Sequence, residues 1–323
     1  GKRLCYKVLT KIMNLLAQTL TNPFIDTIVL FVTVKWFPRI QFSFPRLKEL
    51  FSFGWKISLA SLIGTFFDKI RQLLIGTKYS ASDLAFYNRG ESLPILITNN
   101  ITVTLESVLF PALSRFQNDK VKLKVSVRHS IKMGAYVLTP LLVGLAVVSD
   151  KVVYILYGEK WISAIPFVSI LSLSMIPSII SSINVQAIKA CGRSDVILIL
   201  ELIKKPLFVF IVLLCIFISP VAMAWGAVVY GIVSCIVNYF PNVRLLEYKF
   251  FEQIIDVAQS FILSLFMAIP VFFIGRINMN TYLLLAIQVL IGITVYVAFS
   301  FFFKFQSFFE IVEMVKNKVG CRK

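Results

Sequence analysis

Apolar segments of about 20 residues follow one another along most of this chain, separated by short stretches of charge, glycine or proline. Such a segment can cross a bilayer as a helix, because a helix satisfies its own backbone polar groups. The pattern predicts an all-α integral membrane protein with nine transmembrane helices. The predicted segments are 12–34, 53–77, 83–113, 130–149, 161–188, 196–218, 221–243, 254–275 and 281–303.

The composition also indicates a membrane location, and it helps to predict the partners of the protein. Hydrophobic residues make up 58% of the chain and charged residues 15%, whereas a soluble domain is usually about a quarter charged. The 33 lysines and arginines outnumber the 16 aspartates and glutamates. A multi-pass protein collects such an excess in its cytoplasmic loops. We therefore predict the lipid bilayer as a partner and no nucleic acid.

The loop charges indicate the orientation of the chain. Loops after the first, third, fifth and seventh predicted helices, with the C-terminal tail, hold most basic residues, Lys204 and Lys205 among them. By the positive-inside rule this side, including the C-terminus, is cytoplasmic. Basic residues within positions 2–11 do not follow the pattern. The opposite loops hold Lys78, Lys151, Lys160 and Arg276.

Residues suited to metal or hydrolytic chemistry are sparse. The five cysteines lack the paired spacing of a zinc site or a disulfide framework. The single histidine, His129, lies in a basic segment without a partner motif, and we predict it to be a solvated loop residue. We expect no cofactor, no metal and no enzymatic activity.

The second predicted helix contains ionisable residues, which indicate that one of its faces lines a cavity or contacts a partner. The segment Thr65 to Gly76 places Asp68, Lys69 and Arg71 within an apolar stretch. Charged groups at such depth are costly against lipid and normally face a cavity or a partner. Asp68 and Arg71 are three residues apart, so they could neutralise each other as a helix-packing pair. We favour a cavity wall over that alternative.

The third predicted helix carries a polar stripe. At 100° per residue, the members of this stripe fall within an arc of about 120°. Polar groups on one side of a membrane helix serve either as contacts between helices or as the wall of a path for a polar solute. A stripe with both a guanidinium and a carboxylate favours the cavity wall. Its members are Arg89, Ser92, Asn99, Asn100, Glu106 and Ser107.

The fifth predicted helix repeats this pattern with prolines. Pro166 and Pro177 accompany a hydroxyl-rich face. A proline inside a span removes a backbone hydrogen bond and kinks the helix. Kinked polar helices are typical of transporters that alternate between two states. The polar residues are Ser174, Ser178, Ser181, Ser182 and Asn184.

Several stretches resemble the polysaccharide flippases of the Wzx and teichuronic-acid-export type, in the multidrug/oligosaccharidyl-lipid/polysaccharide exporter superfamily. They are FSFGWKISLASL, SASDLAFYNRGESLPILITNNI, SVLFPALSRFQND and AIKACGRSD followed by ELIKK. The resemblance implies a MATE-like fold of two six-helix lobes plus two C-terminal helices. It assigns residues 1–50 to the last helix of the first lobe and a cytoplasmic loop, 51–245 to the second lobe, 246–303 to the extra helices and 304–323 to a cytoplasmic amphipathic tail. Most of the first lobe is then expected to be missing.

The resemblance also implies a function and a location. Members move an undecaprenyl-diphosphate-linked oligosaccharide across the bacterial cytoplasmic membrane, so that a polymerase can extend it. By that comparison Arg71 and Arg89 are candidates for phosphate or acidic sugars. The candidates for sugar hydroxyls are Asn99, Asn100, Ser107 and Ser178, and those for counter-ions or coupling sites are Asp68, Glu91 and Glu106.

Two other functions stay open. A drug or cation antiporter of the same superfamily would place acidic groups rather than an arginine at the dominant cavity position. A fragment that does not transport is the other alternative, because half of the fold is expected to be missing. A membrane-embedded enzyme would need a large extramembrane loop or a constellation of histidine and carboxylates, and the sequence shows neither.

Overall fold

The computed structural model describes residues 13, 17, 21, 23–34, 42–117 and 119–320. All regular structure in these residues is helical. The chain divides into two compact units, Gly1–Leu50 and Phe51–Lys323. The basic residues at positions 2–11 and the start of the first predicted span lie outside the described residues.

The first unit contains helix α1, Pro23–Val34. Proline suits the first turn of a helix because the missing N–H would have no partner there. The residues of α1 are all exposed and mostly apolar, with Asp26, Thr27 and Thr33 as the polar exceptions. Helix α2 begins at Phe44 in this unit and continues into the second.

The second unit contains the other helices, joined by short turns. The helices are α2 (Phe44–Lys78), α3 (Ala81–Ser114), α4 (Lys120–Val147), α5 (Ser149–Tyr157), a 3-10 helix (Glu159–Ala164), α6 (Ile165–Met175), α7 (Ser178–Ala190), α8 (Ser194–Ile216), α9 (Pro220–Leu246), α10 (Phe250–Ile274), α11 (Thr281–Phe302) and α12 (Gln306–Gly320). Seven spans in the described residues are long and apolar enough to cross a membrane. The predicted all-α membrane fold is confirmed, while the count of nine spans stays a prediction.

Helix α8 is one reason why seven spans are found in the described residues while nine were predicted. Lys204 and Lys205, predicted to lie in a loop, are buried in the middle of this helix. Glu201 lies one turn earlier, where it bonds Lys204 and approaches Lys205 Nζ at 3.4 Å. Pairing with a carboxylate on the same face makes two lysines tolerable in an otherwise apolar helix. The loop assignment of both lysines was therefore wrong.

Helix α4 begins ten residues before its predicted span. Asp119 caps it by accepting a hydrogen bond from the backbone N–H of Lys122 at 3.1 Å, which holds the pKa of the Asp119 carboxyl below its usual range. The basic residues that follow are helical rather than a loop. His129 is one of them, so the prediction of a loop histidine was wrong. Its Nδ1 lies 3.5 Å from Glu310 Oε2 on α12.

Two local features position the site. The predicted fifth helix is interrupted at Pro177, where α6 has ended and α7 begins. Helix α3 packs closely on α6, because a Cβ added at Gly90 would lie only 2.3 Å from Phe167 Cβ. Beneath this contact, Tyr87, Phe167 and Leu171 belong to one buried apolar cluster. These contacts fix α3 against α6 beside the polar residues described next.

Candidate functional site

A cavity of about 440 Å³ opens within the second unit between α2, α3, α6, α7 and α9. Its wall combines three carboxylates, one guanidinium, four serine hydroxyls from α6 and α7, and apolar residues. Apolar walls with a few placed polar groups are typical of sites that bind small molecules or headgroups. The lining residues are Asp68, Arg71, Glu91, Ile95, Glu106, Leu171, Ser174, Met175, Ser178, Ser181, Ser182, Val185, Ala227, Tyr230, Gly231 and Ser234.

An ion pair between neighbouring helices forms the charged end of this cavity. Arg71 Nη2 on α2 donates to Glu91 Oε1 on α3 at 2.6 Å, and their side chains are only 13% and 7% exposed. The Arg71 guanidinium also lies 5.7 Å from the centre of the Tyr87 ring. Its buried Nε has no hydrogen-bond partner among the described residues. Arg71 therefore bonds Glu91 through Nη2, and its Nε–H has no partner among the described residues.

Asp68 does not form an ion pair with Arg71, although the spacing of three residues on one helix suggested that pair. It lines the cavity one turn from Arg71, yet within the described residues it makes no ion pair. Lys69 turns away and approaches Gln72 Oε1 at 3.4 Å on the exposed side of α2. The guanidinium reaches across to Glu91 instead, because the interface between α2 and α3 buries both groups together. This leaves the Asp68 carboxylate available to a bound group.

Three serine hydroxyls on the opposite wall of the cavity already donate hydrogen bonds within the protein. Ser182 Oγ donates to Glu106 Oε1 at 2.5 Å, which links α7 to α3. Ser178 Oγ donates to the Met175 carbonyl at 2.5 Å, and Ser174 Oγ to the Leu171 carbonyl at 2.7 Å. A serine whose hydrogen is used in this way still offers oxygen lone pairs. This wall therefore presents mainly hydrogen-bond acceptors to the cavity.

Four of the predicted site residues do not line this cavity. Arg89 is exposed, and its guanidinium lies 5.0 Å from the Tyr157 ring centre and 5.1 Å from that of Trp161. Asn99 and Asn100 are also exposed. Ser107 donates to the Thr104 carbonyl at 2.8 Å on the exposed side of α3.

The helical wheel explains this separation. Glu91, Ile95 and Glu106 line the cavity and fall within an arc of about 60°. Arg89 lies more than 90° from that arc on the same wheel. The predicted stripe thus reached the cavity only at one edge, through Glu106. The structure brings together Asp68, Arg71, Glu91, Glu106 and Ser178.

Lys205 and its partner Glu201, on α8, lie near the cavity and were missed as site residues. Lys205 Nζ lies 6.0 Å from the centre of the Tyr230 ring and 5.8 Å from that of Phe67, and Tyr230 lines the cavity. The ammonium therefore stands behind the cavity wall, balanced by Glu201. A Glu-x-x-Lys-Lys pattern inside an apolar helix was the available signal.

Buried amides join the helices behind the cavity. Asn184 Nδ2 on α7 donates to Gln253 Oε1 on α10 at 2.9 Å, and Asn242 Nδ2 on α9 donates to Asn184 Oδ1 at 2.9 Å. Amide bonds of this kind hold membrane helices together. Within the described residues no group of three histidine, cysteine or acidic side chains is suitably placed for a metal ion. The polar chemistry of the site therefore rests on the ion pair, the carboxylates and the hydroxyls.

Sequence comparisons identify relatives of part of the chain. Residues 7–166 match a family model described as polysaccharide biosynthesis protein. Teichuronic acid biosynthesis protein TuaB of Bacillus subtilis (strain 168) is 29% identical over 161 residues, which are 50% of this chain and 33% of that protein. Lipopolysaccharide biosynthesis protein WzxC of Escherichia coli (strain K12) is 25% identical over 231 residues, 71% of this chain and 47% of that protein. This chain thus spans less than half the length of both relatives.

A solved structure shares the fold. The lipid II flippase MurJ in an inward closed conformation superposes with a TM-score of 0.67 at 17% identity, covering 82% of this chain and 57% of that chain. The described residues form a multi-pass helical bundle with seven spans long and apolar enough to cross a membrane, and this bundle shares the fold of that flippase. Together the matches relate this chain to proteins named for teichuronic acid and lipopolysaccharide biosynthesis and, in fold, to a lipid II flippase. The resemblance predicted from the sequence is confirmed.

Proposed function

We propose that this chain supplies one wall of a flippase that moves an undecaprenyl-diphosphate-linked oligosaccharide across the bacterial cytoplasmic membrane. The observation that carries the proposal is the buried Arg71–Glu91 pair in a cavity whose other wall is rich in hydroxyls. A diphosphate-sugar headgroup is anionic and bears many hydroxyls. A guanidinium suits its phosphates, while serines and carboxylates accept hydrogen bonds from its sugars.

Arg71 takes the central role in this proposal. Arg71 lines the cavity and its buried Nε is unpartnered among the described residues, so a shift of the guanidinium would offer a phosphate one further donor. Ser178 then contacts sugar hydroxyls from the opposite wall, and Asp68, Glu91 and Glu106 act as counter-ions or coupling sites. The other proposed ligands lie on the exposed side of α3 and contact substrate outside this cavity: Arg89, Asn99, Asn100 and Ser107.

The rest of the proposal concerns the assembly. Transporters of this kind move one repeat against the other around a site at their interface. Residues 51–245 act as one six-helix lobe, and a first lobe or a second copy supplies the facing wall. The C-terminus lies in the cytoplasm, and polysaccharide polymerase machinery receives the flipped unit.

One observation favours a second function. The cavity contains three carboxylates and one guanidinium, so its wall is formally acidic. Asp68, Glu91 and Glu106 would suit a cationic drug or a coupling cation, as in an antiporter of the same superfamily. The relatives named for polysaccharide biosynthesis favour the flippase. Transport assays with each class of substrate distinguish the two functions.

The test is complementation of a strain that lacks its polysaccharide flippase. Expressed together with a first lobe that supplies the facing wall, the protein should restore surface polysaccharide. Arg71→Lys should restore part of it, because the charge remains but the planar fork is lost. An Arg71→Met/Glu91→Gln variant should reach the membrane without restoring export. Lys69→Met, a matched change two residues away on the exposed side of α2, should restore it fully. Full export by the double variant, or cation-dependent drug efflux without export, would contradict the proposal.

A further inference from the structure

A second cavity, of about 600 Å³, lies far along the chain from the candidate transport site. It is formed by α4, α10 and the turn that joins α11 to α12. Lys132, Lys304 and Gln306 line one part of it, while Ile262, Phe266 and Phe303 line another. The three apolar side chains are also about half exposed on the outer surface. The cavity thus combines a basic polar part with an apolar wall that opens to the membrane.

The charges around this cavity leave a positive excess. Asp256 is almost fully buried, and its carboxylate accepts bonds from Arg128 Nε at 2.7 Å and from the Tyr248 hydroxyl at 2.7 Å. Lys132 Nζ lies 3.2 Å from the same carboxylate. One acidic group therefore faces two basic side chains, and Lys304 adds a third. Among the residues that line the cavity, Lys132 and Lys304 outnumber the single carboxylate of Asp256, which leaves one excess positive charge.

The backbone at Lys304 forms the turn that ends α11. Lys304 has a φ of 51°, in the left-handed region that glycine and asparagine adopt most easily. Its turn is closed by a bond from Phe305 N to the Ser300 carbonyl at 3.0 Å. A left-handed residue closed by such a bond is a common way for a helix to end, and here the turn holds Lys304 beside the cavity. The first turn of α12, whose N–H groups carry partial positive charge, adjoins the same cavity.

We propose that this cavity binds one anionic glycerophospholipid from the leaflet on the α12 side of the membrane. The phosphate lies between Lys132 and Lys304, where the charge excess is found. An acyl chain follows Ile262, Phe266 and Phe303 toward the bilayer. A free anion would use only the basic part and leave the apolar wall empty, so the combination favours a lipid. The bound lipid would fasten the amphipathic helix α12 to the bundle.

The test compares phosphatidylglycerol with phosphatidylcholine, using native mass spectrometry of the purified protein in detergent. The wild type should retain phosphatidylglycerol in preference. Lys304→Asn should reduce that preference about five-fold, the value of one basic residue near an anionic lipid. Asparagine tolerates the left-handed backbone, so thermal stability without lipid should be unchanged or higher. Lys316→Asn, which removes the same charge from α12 away from the cavity, should leave the preference intact.

Two outcomes would overturn the proposal. Equal retention of both lipids by the wild type, or an unchanged preference in Lys304→Asn, would show that the cavity does not select an anionic lipid. Glycerophosphoglycerol, the headgroup without chains, should not displace the lipid at matched concentration. Displacement would assign the basic part to a free phosphate ligand and exclude the lipid.

Discussion

At the residue scale, Arg71 is the central group of the cavity wall, because it joins α2 to α3 through Glu91. Its place inside an apolar segment predicted a group that faces a cavity or a partner. The spacing of residues on one helix then suggested Asp68 as its neutralising partner. The structure gives that role to Glu91, on the next helix. A helical wheel reports only neighbours on its own helix, so a partner on another helix could not be predicted in this way.

The Arg71–Glu91 pair leads to a prediction about folding. Arg71→Met should destabilise the protein by about 3–5 kcal/mol, because Glu91 would remain buried without its partner. Adding Glu91→Gln should recover most of that loss. Thermal unfolding in detergent and the protein level in membranes measure both effects. A single variant as stable as the wild type would show that water or another group compensates the Glu91 carboxylate.

Arg89 should behave in the opposite way. Its guanidinium is exposed and stacks on Tyr157 and Trp161, so Arg89→Ala should cost no more than about 1 kcal/mol of stability. If Arg89 contacts phosphate or an acidic sugar, the variant should be well expressed but poor in export. Arg89→Lys should keep part of the activity. Normal export by Arg89→Ala at normal protein level would remove Arg89 from the proposed ligands.

At the element scale, hydrophobic periodicity predicted the apolar helices well and the charged ones poorly. The predicted spans 83–113 and 281–303 agree with α3 and α11 within two residues at each end. Helix α4 begins earlier than predicted because its basic first turns are helical without being apolar. The predicted span 196–218 agrees with α8 within two residues at each end, and only the two lysines inside it were wrongly counted as loop residues. Hydropathy detects contact with lipid, whereas these segments are stabilised by capping and by pairs within the helix.

The contact between α3 and α6 should depend on one glycine. Gly90→Ala would place a Cβ 2.3 Å from Phe167 Cβ and 3.0 Å from the Phe167 carbonyl carbon, so the helices must separate. Overpacking of this kind costs about 1–3 kcal/mol. Gly54→Ala on α2 is the matched control, since no atom lies within 4 Å of its added Cβ. Thermal unfolding should show a clear loss for Gly90→Ala and none for Gly54→Ala.

At the scale of the whole molecule, sidedness follows from the loop charges rather than from any single contact. Moving Lys204 and Lys205 from a loop into α8 removes two residues from the basic side. The asymmetry survives, because the segment from Arg115 to Arg128 and the C-terminal tail remain strongly basic. Helices α4 and α10 begin on this side, and α11 ends there, which places the proposed lipid cavity on it as well.

Cysteine labelling of intact cells tests this orientation. In a variant whose native cysteines are replaced by serine or alanine, Asn278→Cys and Lys160→Cys should react with a membrane-impermeant maleimide. Lys122→Cys and Lys316→Cys should react only after the membrane is permeabilised, since basic loops stay in the cytoplasm. Each pair contains sites from different helices, so a local distortion cannot reverse both. Labelling of Lys122→Cys from outside would invert the topology, and it would move the lipid proposed at Lys304 to the outer leaflet.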